Sequence, residues 1–190
     1  MKLARRVLSY LYTTRDYRIR YRSGSKFQLK AYTDASHVSK TDMPYSTGGY
    51  ITYLAEAPIT WSSKKITSTV AISSTEIEYI AASEAAMEIE WLHHLFEFIG
   101  YPLPPTILYI DNEPAQKLIA HPVNHSRTKH IALRYHKVRH SMKQGYIEVS
   151  HISTNEQIAD IFTKLLDAEK FRKHLLCMLS PSRIKGDVNV

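Results

Sequence analysis

Four carboxylates carry the first chemical signal. Asp34 ends a β-prone run, Glu78 lies in the first turn of a long helical stretch, Asp111 follows the apolar run Ile107 to Ile110, and Asp160 sits in a short helical segment near the carboxy terminus. Acids at the ends of strands and the starts of helices can be gathered at one edge of a sheet. Two divalent cations about 3.5 to 4 Å apart need such a cluster of hard oxygen donors to activate water and stabilise the leaving oxygen of a phosphodiester. Without cations, close carboxylates repel and some stay protonated. Each acid also has an ordinary alternative: Asp34 and Asp111 as turn or N-cap residues, Asp160 as a solvent-facing one.

Two glutamates compete for one place in that set. Ser73 followed by Glu76 fits a capping box, which gives Glu76 a structural task. At about 100° per residue, Glu78 falls on the stripe of Ala81, Ala85, Leu92, Phe96 and Ile99, whereas Glu76 points nearly opposite. Glu78, at the head of the packed stripe, is therefore the member assigned to the cluster.

Charge is distributed to match. The chain has 190 residues and a formal net charge of +7. Residues 1 to 31 hold nine Lys/Arg against one acid, residues 32 to 120 four against eleven, and residues 121 to 150 six against one. An acidic middle between two basic blocks suits a metal-dependent nucleic-acid enzyme, because carboxylates hold cations while Lys/Arg hold phosphates. An acidic helix that merely faces solvent explains the same counts. The length suits one domain with an appended element, large enough for a core without staples. A single cysteine, Cys177, excludes an intramolecular disulfide and a cysteine-based zinc site and fits a reducing compartment. The apolar stretches are too short to span a membrane, and the amino terminus lacks a secretory pattern. The expectation is an intracellular protein, cytoplasmic or nuclear and not secreted.

The elements that must position the acids follow from periodicity. An amphipathic helix is predicted over 3–12, strands over 17–21 and 27–33 around the turn Ser23-Gly24-Ser25, and strands over 48–54 and 59–63 joined by Ala57-Pro58. A long helix over 74–99 ends at Gly100. A strand over 107–110 and a short helix after Asn112 come next. A basic amphipathic helix over 130–144 carries Ile131, Tyr135, Val138 and Met142 at spacings of four, three and four. A strand over 146–152, a helix from about Thr154 and a helix over 168–179 complete the order, with a frayed end from Ser180. This predicts an α/β fold with a mixed five-stranded sheet, antiparallel in its first half and flanked by helices. His136 and His140 offer two zinc ligands at i, i+4, but nothing supplies the other two. Trp61 and Trp91 are read as core residues.

Seven segments, in order, carry a resemblance. They are Tyr32-Thr33-Asp34-Ala35, Ser46-Thr47-Gly48-Gly49-Tyr50, Ile59-Thr60-Trp61-Ser62-Ser63-Lys64-Lys65, Ser73-Ser74-Thr75-Glu76-Ile77-Glu78-Tyr79, Asp111-Asn112, His125-Ser126-Arg127-Thr128-Lys129-His130-Ile131, and Gln157-Ile158-Ala159-Asp160-Ile161-Phe162-Thr163-Lys164. The chain resembles the ribonuclease H domain at the end of the polyprotein of copia-type LTR retrotransposons. The resemblance implies an RNase H-like fold and an Asp-Glu-Asp-Asp site of Asp34, Glu78, Asp111 and Asp160, binding two Mg2+ ions for which Mn2+ substitutes. In that family the first and last acids hold the ion that activates water, and the first three hold the ion at the leaving 3′ oxygen. The implied activity is hydrolysis of the RNA strand of RNA–DNA hybrids, with Ser74, Asn112, Arg127, Lys129, His130, Arg134 and Lys137 as nucleic-acid contacts. A reverse transcriptase domain is the implied protein partner. The implied organisation is a basic tether-like element over 1–24, an RNase H-like domain over 25–166, and a carboxy-terminal helix and tail over 167–190. The alternative is an inactive remnant that binds nucleic acid or a reverse transcriptase.

The pattern departs from the family at His37-Val38, at Ala132 and at Leu165, where a tryptophan with a small residue, an acid and a proline are usual. None of these is a proposed metal ligand. Many relatives carry a histidine before the last Asp; the segment Ile152 to Gln157 has none, and His151 sits on the predicted strand.

Overall fold

The computed structural model describes residues 2–36, 45–66, 73–120 and 129–181. Helix α1 (Lys2–Thr14) leads into a two-residue strand β1 (Tyr17–Arg18), followed by the long strands β2 (Leu29–Ser36), β3 (Ser46–Leu54) and β4 (Ala57–Ile66). Helix α2 (Ser74–Phe98), strand β5 (Thr106–Ile110), helices α3 (Glu113–Ala120) and α4 (Lys129–Lys143), and strand β6 (Ile147–His151) follow. The chain ends in helices α5 (Asp160–Thr163) and α6 (Ala168–Met178) and a two-residue strand β7 (Ser180–Pro181). The main sheet has the order β4-β3-β2-β5-β6. Strands β2 to β4 are antiparallel, while β5 runs parallel to both β2 and β6. The expected mixed five-stranded sheet with an antiparallel first half is therefore present.

Each face of the sheet buries a different set of helices. On one face Leu29, Ala31, Tyr50 and Leu108 meet Tyr79, Ala82, Ala85, Ala86, Ile89 and Leu92 of α2, with Ile119 and Val138 extending the core. Burial of each large apolar side chain contributes roughly 1.5–3 kcal/mol, and the alanines let α2 sit close to the strands. On the other face Ile51 and Tyr53 pack with Ile158, Phe162 and Met178. Helix α2 is bounded as its sequence predicts. Ser73 Oγ accepts from the Glu76 amide and the Glu76 carboxylate from the Ser73 amide, and the chain leaves the helix through Gly100 at φ 83°.

Several expectations need correction. The β3–β4 hairpin turns at Ala55 and Glu56, with φ of 50° and 65°, and Ala57-Pro58 already belongs to β4. A proline is tolerated there because β4 is an edge strand and Pro58 lies next to a register shift. The strand expected over 17–21 is only two residues long, and it pairs with Ser180–Pro181, the start of the segment expected to fray. The helix expected from Thr154 begins only at Asp160. Trp61 and Trp91 are 53% and 55% exposed rather than core, since β4 has a neighbour strand on one side only and Trp91 lies on α2 away from the sheet. No helix among the described residues is long and apolar enough to cross a membrane.

Candidate metal centre

Asp34 stands near the end of β2 and is buried, only 1% exposed. Its neighbour across the ladder is Gly49 of β3. A Cβ at Gly49 would lie 2.7 Å from Phe162 Cβ and 3.0 Å from Thr163 Cγ2, so only glycine lets α5 settle against β3 at this point. A Cβ at the adjacent Gly48 would lie 3.3 Å from Ala81 Cβ on α2. The glycine pair thus lets α2 and α5 approach the sheet beside Asp34. Sequence reasoning quoted this pair as part of a motif and missed its role, because nothing local in a Gly-Gly strand says which helix crosses it.

Helix α5 carries Asp160 and is fastened by polar groups that the sequence alone did not single out. Gln157, fully buried, donates from Nε2 to the Thr33 carbonyl at 2.9 Å and accepts the Ala159 amide on Oε1 at 3.3 Å. Ser63 Oγ donates to the Phe162 carbonyl at 2.6 Å, tying β4 to the same turn. The Thr163 hydroxyl donates to Asp34 Oδ2, linking the first acid to the segment that bears the last. On the other side, Asp111 follows β5, whose final carbonyl at Ile110 accepts from Gln116 Nε2 at 2.7 Å and from the Ile152 amide at 3.2 Å.

These supports bring three acids together. Oxygens of Asp34, Asp111 and Asp160 lie within 4.8 Å of one another. Glu78 is outside this tightest group but close enough to feel the charges of Asp34 and Asp111. It is 7% exposed, its Oε2 has no hydrogen-bond partner, and it accepts from the Ala35 backbone. An orphaned buried carboxylate oxygen beside three clustered acids fits a hard divalent cation, whose preferred donors are carboxylates. Burial, reinforced by Asp34 and Asp111, raises the Glu78 carboxyl to about 9. Burial also raises Asp34 to about 6, although the Thr163 hydroxyl and Lys164 oppose it.

Two lysines already balance part of this charge. Lys164 Nζ is 2.8 Å from Asp160 Oδ1 and 3.5 Å from Asp34, and Lys170 Nζ is 2.6 Å from Asp160 Oδ2. Neither lysine was singled out by its sequence position.

The residues expected to touch nucleic acid are scattered in fate. Ser74 is exposed at the start of α2. Asn112 Oδ1 accepts the Ala115 amide at 2.9 Å, a helix-capping role. Lys137 is paired with Glu90 at 2.6 Å, and Ser141 Oγ donates to the same carboxylate at 3.0 Å, which joins α4 to α2. Lys129, His130 and Arg134 lie on α4, but their side chains fall outside the described residues, as does Arg127 altogether.

The decisive comparison is with a curated relative. The chain is 44% identical over 169 residues to the retrovirus-related Pol polyprotein from transposon RE2 of Arabidopsis thaliana, a match covering 88% of this chain. The chain belongs to the copia-type retrotransposon Pol proteins. It spans 12% of the length of that polyprotein. No protein-family model matches the chain. Among solved structures, this Pol segment is similar to LC11-RNase H1, crystallised in complex with an RNA/DNA hybrid, at a TM-score of 0.54 and 13% identity over 72% of this chain and 94% of that one. It is also similar to the prototype foamy virus protease-reverse transcriptase, at a TM-score of 0.50 and 14% identity over 83% of this chain and 21% of that one. The Pol segment therefore has the RNase H fold.

Proposed function

We propose that this Pol segment is a ribonuclease H that hydrolyses the RNA strand of RNA–DNA hybrids with two divalent cations, Mg2+ or Mn2+. The observation that carries the proposal is the meeting of Asp34, Asp111 and Asp160 within 4.8 Å, with Glu78 buried beside them. Asp34, Glu78, Asp111 and Asp160 would hold the ions. Bound there, divalent cations supply an activated water and neutralise the developing charge on the leaving oxygen. The protein's own part is to hold the acids in place before substrate arrives. Gln157, Ser63 and Thr163 fix α5 against the sheet, so little reorganisation is left for the reaction itself. The solved structure of LC11-RNase H1 with an RNA/DNA hybrid supports hybrid as the substrate class. Selectivity for RNA rests on 2′-hydroxyl contacts in the wide minor groove, with basic side chains gripping phosphates.

The test is a cleavage assay on a hybrid with labelled RNA, in Mg2+ or Mn2+, comparing wild type with Asp34→Asn and Asp111→Asn. Cleavage by wild type and its loss in both variants is the expected result. No cleavage at any cation concentration sinks the proposal.

One observation favours a second reading, docking on a reverse transcriptase without catalysis. Helix α1 leaves Leu3, Val7, Leu8 and Leu11 between 57% and 79% exposed, an apolar stripe on a basic helix. That reading, an inactive remnant that binds a reverse transcriptase or nucleic acid, expects reverse transcriptase binding or salt-sensitive hybrid binding that Asp34→Asn and Asp111→Asn leave unchanged.

A further inference from the structure

Lys164 occupies an unusual position among the acids. It follows α5, with extended backbone at φ −144° and ψ 159° and its amide donating to the Asp160 carbonyl. Its ammonium lies between the first and last members of the cluster, 2.8 Å from Asp160 Oδ1 and 3.5 Å from both carboxylate oxygens of Asp34. Its charge also acts on Asp111 and on Glu78. All four acids therefore feel this one cation.

Lys170 makes an instructive contrast. It comes from α6, reaches the other oxygen of Asp160 at 2.6 Å, and donates to the Thr154 carbonyl at 2.9 Å. Its side chain is 21% exposed and is held by two partners on two segments. Lys164 has a side chain 33% exposed and, among the described residues, is held by the acids Asp160 and Asp34 alone, at the end of a flexible stem. The two oxygens of Asp160 are thus divided between a cation anchored by a second segment and one held by the acids alone.

We propose that Lys164 is a built-in placeholder for a divalent cation, holding the acids together until a metal displaces its ammonium from between Asp34 and Asp160. The inference rests on the metal-site reading above. Its physical basis is simple. Buried acids at this spacing repel unless a positive charge stands among them. An ammonium and a divalent cation cannot both sit between the same two carboxylates, because they repel at that distance and compete for the same oxygens. Metal binding must therefore work against Lys164, while Lys170 keeps the far oxygen of Asp160 oriented.

The test is a Mn2+ titration of the purified full chain without substrate, followed by calorimetry and by loss of the free Mn2+ paramagnetic resonance signal. Thermal melts with chelator and with Mn2+ accompany it. Lys164→Met and Lys164→Gln should bind Mn2+ more tightly than wild type, by on the order of tenfold after the rehydration of the departing ammonium offsets most of the direct repulsion. Without metal they should melt lower, and they should gain more on adding Mn2+. Lys164→Arg, which keeps the charge, should bind like wild type. Lys137→Met, which breaks an ion pair elsewhere, should leave the Mn2+ affinity unchanged; a purely structural role for Lys164 would behave in this way too. Two neutral replacements keep the test open should one misfold.

Equal or weaker Mn2+ binding by both neutral variants, with wild-type binding abolished by Asp34→Asn, overturns the placeholder and leaves the metal site standing. Tighter binding by Lys164→Arg overturns it as well, since charge is then not the cause. Binding by the neutral variants alone supports it. No binding by any of the proteins overturns the placeholder together with the site.

Discussion

Gly49 faces Asp34 across the β2–β3 ladder, and the space a side chain would need at Gly49 is filled by Phe162 and Thr163 of α5. The first acid and the helix bearing the last are therefore spaced by the absence of a single Cβ. The neighbouring contact at 2.7 Å is to a Cβ atom, which is fixed to backbone and cannot rotate away.

Gly49→Ala should thus push α5 off the sheet. The expected cost is about 1–3 kcal/mol of stability, the usual range for overpacking, with hybrid cleavage lost well beyond the fraction unfolded. Chemical denaturation beside the cleavage assay checks both. A variant with full activity and unaltered stability would show that α5 does not need this approach.

Gln157 is the polar counterpart of that contact. Gln157→Ala removes the bond to the Thr33 carbonyl and the acceptor for the Ala159 amide, leaving both buried groups unpaired. Each unsatisfied group costs roughly 1–3 kcal/mol. The variant should lose a few kcal/mol in urea denaturation and should protect the amides of α5 less in hydrogen exchange. Exchange that quickens only in α2 or α4, with α5 unchanged, would argue against the clamp.

Acid titration gives a prediction with a definite sign. Glu78 is raised from an ordinary 4.5 to about 9 and Asp34 from 3.8 to about 6, both chiefly by burial. Between each pair of values the folded chain binds more protons than the unfolded one. Stability of the metal-free protein should therefore be fully present below the ordinary values and fall as pH rises, through 6 for Asp34 and on to about 9 for Glu78. Glu78→Gln should flatten the upper part of this slope. Urea denaturation in chelator at a series of pH values measures it, and an identical slope in wild type and variant would contradict the buried-acid account.

Much of the site was legible because its signals are local. Helical periodicity placed Glu78 on the packed face of α2, and the capping box gave Glu76 its structural task; both depend only on residues of this one helix and its cap. Asp34 and Asp111 were found at strand ends for the same reason. The exposure of Trp61 was not legible, since an edge strand is recognised only once the sheet order is known. Nor was the pairing of Ser180–Pro181 with Tyr17–Arg18, because it joins the two ends of the chain. Lys137 reads as a phosphate contact in a basic helix until Glu90 on α2 is seen to claim its ammonium.

The sequence by itself determined most of the order of elements and the retrotransposon resemblance, and it nominated the four acids, since these are written in residue type and short-range spacing. Only the tertiary structure decided how the acids are held and neutralised. Gly49, Gln157, Ser63, Lys164 and Lys170 act across distances of up to a hundred residues or more along the chain. Close approach and charge pairing exist only after the sheet has brought those residues together. Helix periodicity can say which way a glutamate points, but not which lysine will stand in front of it.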